Sequence, residues 1–113
     1  MCCNTNTING NTIVNYGSNS MTKSDIHKEM CDELNRLYRE KNTAYGDSFG
    51  ETYRKLGIIS AVTRISDKYN RLVNLALNPN LEVNDEPIID TLKDLANYSL
   101  MTIMELKHGE NNV

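Results

Sequence analysis

The sequence predicts an all-α fold, a small helical bundle of about four helices. Three observations predict it. Between Thr22 and Gly109, apolar residues recur at three- and four-residue spacing, the period of one helix face. The breaks between these runs carry turn formers: "NTAYGDS", Gly57 and "NPNLEVND". No strong strand pattern occurs after residue 20.

Residues 1–20 are rich in Asn and Thr and almost free of charge. "TINGNTIV" sets Asn9-Gly10 between β-prone pieces, so this part reads either as a short hairpin or as a polar tail. The first helix places Ile26, Met30, Leu34, Leu37 and Tyr38 on one face, with Ser24 or Thr22 as N-cap, and runs to about Lys41. Ser48 and Glu51 have capping-box spacing, so a short second helix starts there and Gly57 closes it. The third helix, Ile58 to about Leu77, carries the apolar stripe Ile58, Val62, Ile65, Tyr69, Leu72 and Ala76, which is expected to be its core face. The fourth starts near Pro87, is expected to bury Ile89, Leu92, Ala96, Leu100 and Ile103, and ends at "KHG". The expected organisation is therefore a polar tail or hairpin over 1–21, a helical domain over 22–109 and a tail over 110–113.

A chain of 113 residues has room for one core, and 39% apolar content makes that core thin. Leu75, Leu95, Met101 and Met104 are apolar residues beyond the main stripes, so a homo-oligomer is expected to cover the surplus. A net charge of −3 argues against the broad basic surface of a duplex-nucleic-acid binder. Cys2, Cys3 and Cys31 form no CxxC pair, and His27 and His108 stand apart, so the thiols read as reduced and zinc is not indicated. No long apolar run predicts a membrane span, and the polar N-terminus does not read as an export signal. The expected location is cytoplasmic.

"RISDKYNRL", residues 64–72, is the unusual stretch. At about 100° per residue, Arg64, Asp67, Lys68 and Arg71 share one band beside the apolar stripe, while Asn70 and Asn74 lie further round. A boundary position suits a long side chain whose stem packs and whose charged head reaches a cleft. Three cations in one cleft suit phosphate. The plain alternative is a solvated face in which Asp67 pairs with Arg64 and Arg71. In the fourth helix, Asp90 and Asp94 stand one turn apart, with Asn97 next on that face. Two such carboxylates repel unless something offsets them. Either Mg²⁺, held with Asp67, or a cation such as Lys93 or an arginine of the third helix does so.

"KNTAYGDSFGETYRKLGIISAVTRISDKYNRLVNL" followed by "DTLKDLANYSLMTI" resembles a family found largely in phages and prophages, the first nucleotide modification associated domain. That family is similar, more distantly, to the MazG-like all-α NTP pyrophosphatases. The resemblance covers roughly residues 38–106. It implies an all-helical, oligomeric, nucleotide-handling protein, in the host cytoplasm if phage-encoded. MazG-like enzymes carry ExxE on one helix and ExxD on the next to hold Mg²⁺. Here the matching helices present only Asp67, Asp90 and Asp94, with Arg64, Lys68 or Arg71 where a further acid would help. Fewer acids weaken metal binding, and more cations favour holding the anion.

The loop between the first two helices is expected to complete the pocket. Lys41 reaches phosphate, Tyr45 stacks on a base, Gly46 lets backbone approach the ligand, and Ser48 with the free N–H groups of the short helix forms an anion site. Each has an ordinary reading too: Tyr45 as a core edge, Gly46 as a turn, Ser48 as a cap. Glu51 completes the box or reaches a metal. The residues and the resemblance together leave three functions. The favoured one is a nucleotide-binding protein without turnover; the resemblance to a phage family implies that it sequesters a host immune messenger. The second is a Mg²⁺-dependent pyrophosphohydrolase, and the third is a helical interaction module.

Overall fold

The computed structural model of the chain describes residues 13–16, 19–78 and 86–109. Among these the fold is all-α, with four helices and one short hairpin. The chain divides into two compact units, Met1–Thr43 and Ala44–Val113.

In the N-terminal unit, β1 (Ile13–Tyr16) pairs antiparallel with β2 (Asn19–Thr22), with Ile13 opposite Thr22 and Tyr16 opposite Asn19. Asn9-Gly10, the turn read from the sequence, lies outside the described residues. Helix α1 (Lys23–Tyr45) follows directly. Thr22, not Ser24, caps it. The Asp25 N–H donates to Thr22 Oγ1 at 3.0 Å and the Thr22 N–H donates to Asp25 Oδ2 at 3.2 Å, a reciprocal capping box. The helix runs past Lys41 because "NTAY" holds no residue that forbids helix. The Thr43 hydroxyl donates back to the Arg39 carbonyl, and the helix ends only before Gly46, whose φ of +66° is left-handed. Cys31 is the buried residue of α1.

The C-terminal unit holds α2 (Ser48–Leu56), α3 (Ile58–Leu77) and α4 (Glu86–His108). Asp47 caps α2 by accepting from the Gly50 N–H at 3.2 Å, so the Ser48–Glu51 box expected from spacing is not the cap. One residue upstream, a carboxylate outcompetes a hydroxyl because it meets the positive end of the helix dipole with full charge. Gly57, at φ +77°, links α2 to α3; its N–H donates to Tyr53 O at 2.7 Å.

Helices α3 and α4 run antiparallel, since Lys68 pairs with Asp94 while Arg71, later in α3, bonds Thr91, earlier in α4. The buried residues between them are small: Ala61, Thr91 and Thr102. Buried hydroxyls are costly unless bonded. Here Thr91 donates to Pro87 O and Thr102 to Tyr98 O, each at 2.7 Å, so the cost is met within α4 itself.

The stripes expected to be the core are not buried within the C-terminal unit. Ile58, Val62 and Tyr69 of α3 and Ile89, Leu92, Leu100 and Ile103 of α4 are all exposed, Ile65, Leu72 and Ala96 are half-buried, and Ala76 is exposed. Leu75 and Leu95, read from the sequence as surplus, are half-buried instead. Helical periodicity reports which residues share a face, not what covers that face.

The geometry of the pair follows from about 100° per residue. On α3, Ile58, Val62, Tyr69 and Ala76 lie some 60–100° to one side of the line through Ala61, Lys68 and Leu72 that faces α4. On α4, Leu92, Ala96 and Ile103 lie some 90–130° from the line through Thr91 and Thr102, while Ile89 and Leu100, some 150–170° round, face away from α3. In antiparallel helices rotations of the same sense reach the same side, so the α3 stripe shares one side of the hairpin with Leu92, Ala96 and Ile103. Arg64, Arg71, Asp90, Asp94 and Asn97 share the other. Helix α2 packs on that charged side, with Phe49 against Arg64 and Tyr98 and with Arg54 toward Glu105.

Candidate functional site: the charged side of the α3–α4 hairpin

Each cation of "RISDKYNRL" has a defined place. Arg64 lays its guanidinium over the Phe49 ring, Cζ 5.5 Å from the centroid. Phe49, the only phenylalanine in the sequence, is buried and stacks on Tyr98 at 6.0 Å with 17° between the rings. The ring face attracts the guanidinium charge through its quadrupole and uses none of its N–H donors in a hydrogen bond. Lys68 Nζ lies 3.0 Å from Asp94 Oδ2, with both side chains 28% exposed, so water only partly screens the pair. Arg71 donates through Nε to Thr91 Oγ1 at 3.2 Å, and the same hydroxyl donates to Pro87 O. This relay holds the Arg71 guanidinium by one edge. The Nη groups at its tip are not used in that bond, and they are the fork that grips a phosphate or carboxylate.

The acids are placed as follows. Asp67 is exposed at the margin of the band. Asp90 is exposed, and Asp94 faces Lys68. Asn97, half-buried, lies on the same side of α4. Among the described residues, no three His, Cys, Asp or Glu side chains gather as a group able to hold a metal ion. Beside the Asp90–Asp94 pair, Lys68 is the cation of α3 that meets Asp94, a residue other than the Lys93 or third-helix arginine expected there.

The loop residues divide. Lys41 belongs to the N-terminal unit and is described there alone, as an exposed residue of α1. Tyr45 is 74% exposed, so it is no core edge. Gly46 holds a left-handed conformation, with open space where a Cβ would stand. Ser48 is exposed and precedes Phe49. Phe49 meets Arg64 while Arg54 approaches Glu105, so the first turn of α2 is its end nearer Lys68 and Arg71. That turn carries a negative charge: the Asp47 carboxylate takes the Gly50 N–H, and Arg54 Nη2 stands 3.4 Å from it. An anion approaching the turn meets a carboxylate before it meets bare N–H groups.

Sequence reading missed Phe49, Thr91 and Tyr98. Thr91, Leu95, Tyr98 and Thr102 do recur at helical spacing along α4, and that row is the signal that locates the seam. It was hidden by the stronger apolar stripe beside it.

Fold and site together define a class: a small all-α protein whose helical hairpin carries, on one side, two arginines that each contact a neighbouring side chain and a lysine–aspartate pair. The chain belongs to the nucleotide modification associated domain 1 family, whose family model matches residues 41–106. That span runs from Lys41 to Leu106, near the end of α4, and contains every candidate residue of the site. No curated protein and no solved structure matches the chain. No described helix is long and apolar enough to cross a membrane.

Proposed function

We propose that the charged side of the α3–α4 hairpin holds the phosphates of a nucleotide or nucleotide-derived signalling molecule and does not cleave it. The observation that carries this reading is the way the two arginines are fixed. Arg64 Cζ stands over the Phe49 ring and Arg71 donates through Nε to Thr91, and neither contact is a hydrogen bond of an Nη group, which supports the forks as ligand donors. Guanidinium groups oriented beforehand lose less freedom on binding. Asp94 supports binding over hydrolysis, because its carboxylate faces Lys68 instead of an open metal position. Membership of a nucleotide modification associated family supports the ligand class. The biological setting we propose is a phage protein that sequesters a host immune nucleotide messenger of cyclic or ADP-ribose type.

The second reading is a Mg²⁺-dependent, MazG-like pyrophosphohydrolase, and the Asp90–Asp94 pair one turn apart is what favours it. Titration calorimetry with ADP-ribose tests the binding reading. A charge-assisted contact of this kind contributes about 1.5–3 kcal/mol. Arg71→Ala should therefore weaken binding roughly ten- to a hundredfold. Arg71→Lys should restore only part of it, since an ammonium makes no bidentate contact. Asn74→Ala, on the wet side of α3, should change nothing. Equal affinity for the parent and Arg71→Ala would leave the band a solvated helix face.

A further inference from the structure

Arg54, outside the proposed site, stands between two carboxylates. Its Nη2 lies 3.4 Å from Asp47 Oδ2 and its Nη1 lies 3.9 Å from Glu105 Oε1, so one side chain joins the start of α2 to the last turns of α4. Each acid is seated beside a glycine. A Cβ on Gly50 would stand 2.5 Å from Asp47 Oδ2, and one on Gly109 would stand 2.8 Å from Glu105 Oε1. Glu105 is the more enclosed acid. Its side chain is 14% exposed, and its Oε1 is buried and accepts no hydrogen bond among the described residues. A carboxylate held that way is costly unless a cation faces it, and Arg54 does.

The two junctions of α2 carry no side chain. Gly46 and Gly57 both have a left-handed φ, +66° and +77°, with open space where a Cβ would stand. The direction of α2 on the hairpin therefore depends on its own side chains, Phe49 in the first turn and Arg54 in the last. Phe49 by itself is a pivot, and a second contact at the other end stops the helix turning about it. We propose that Arg54 is a positioning residue for the ligand site: clamped between Asp47 and Glu105, it seats α2 so that the Phe49 ring meets Arg64. This rests on the reading of Arg64 as a phosphate donor. Arg54 acts on the ligand through Phe49 and Arg64. Side chains behind a site hold its donors in the geometry that binding needs, and loosening one lowers affinity without removing a ligand contact.

Two readouts on the full chain test the proposal: the Arg64 Nε–H resonance in NMR spectra, which the ring current of Phe49 shifts, and calorimetric titration with ADP-ribose. Arg54→Ala is expected to move that resonance toward its position in Phe49→Leu and to weaken ADP-ribose binding roughly three- to tenfold. Gly109→Ala keeps every charge and displaces only the Glu105 carboxylate, a flexible end that yields readily, so it should act in the same direction. In an Arg64→Ala background, Arg54→Ala should cost no further affinity, because the path from Arg54 to the ligand runs through Arg64. An unmoved Arg64 resonance in folded Arg54→Ala overturns the proposal. So does a loss of affinity that is the same with and without Arg64. If Arg54→Ala does not fold, the resonance in Gly109→Ala decides in the same way. A parent that binds no ADP-ribose counts against capture of that ligand, and the resonance still decides whether Arg54 seats Phe49 on Arg64.

Discussion

At the scale of single residues, Thr91 is the informative one. Its hydroxyl passes a hydrogen bond from Arg71 to the Pro87 carbonyl, and its side chain is buried in the seam. Thr91→Val keeps the shape and removes the relay. It should lower stability by about 1 kcal/mol and nucleotide affinity severalfold, while Thr91→Ser should keep most of both. Urea titration and calorimetry separate the two effects, and unchanged affinity in a folded Thr91→Val protein would mean that Arg71 is not positioned for a ligand. Asp94 distinguishes the two functional readings. If it serves to hold Lys68, Asp94→Asn should alter ligand affinity equally with and without EDTA; a Mg²⁺-dependent thermal shift in the parent that disappears in the variant would favour the metal reading. A double-mutant cycle of Lys68→Ala and Asp94→Ala should give a coupling of about 1 kcal/mol, above the usual value for fully exposed pairs.

At the scale of elements, the sequence was most legible where backbone chemistry decides. Four helices, the break at Gly57 and the start near Pro87 follow from spacing, glycine and proline, and α2 to α4 hold those positions. Caps were less legible, because Asp47 and Ser48 are both good caps and only the charge settled the competition. Gly57 gives a direct check on the linker. Its φ of +77° and ψ of −164° belong almost only to glycine, yet a Cβ there would touch nothing within 4 Å. Gly57→Ala should therefore cost about 1–3 kcal/mol through backbone strain alone. A smaller loss in urea titration would show that the α2–α3 junction adopts another conformation in solution.

At the scale of the whole molecule, the sequence named the two kinds of surface and misplaced one of them. Of the cationic band expected at a boundary, Arg64 and Lys68 are half-buried, while Asp67 and Arg71 are exposed. The stripe itself was assigned to the core, and within the C-terminal unit the hairpin instead closes on Ala61, Thr91 and Thr102. Small residues give a weak hydropathy signal even when they form the tightest contact. The central claim concerns the charged side: it captures a nucleotide and releases it unchanged. The most direct measurement incubates the protein with ATP, ADP-ribose, cyclic ADP-ribose and a cyclic dinucleotide in Mg²⁺. The protein is then separated and denatured, and the released molecules are weighed by mass spectrometry. The account predicts one of these ligands recovered intact and in stoichiometric amount, and lost from Arg71→Ala. Recovery of a nucleoside monophosphate with pyrophosphate, or of no nucleotide at all, would contradict it.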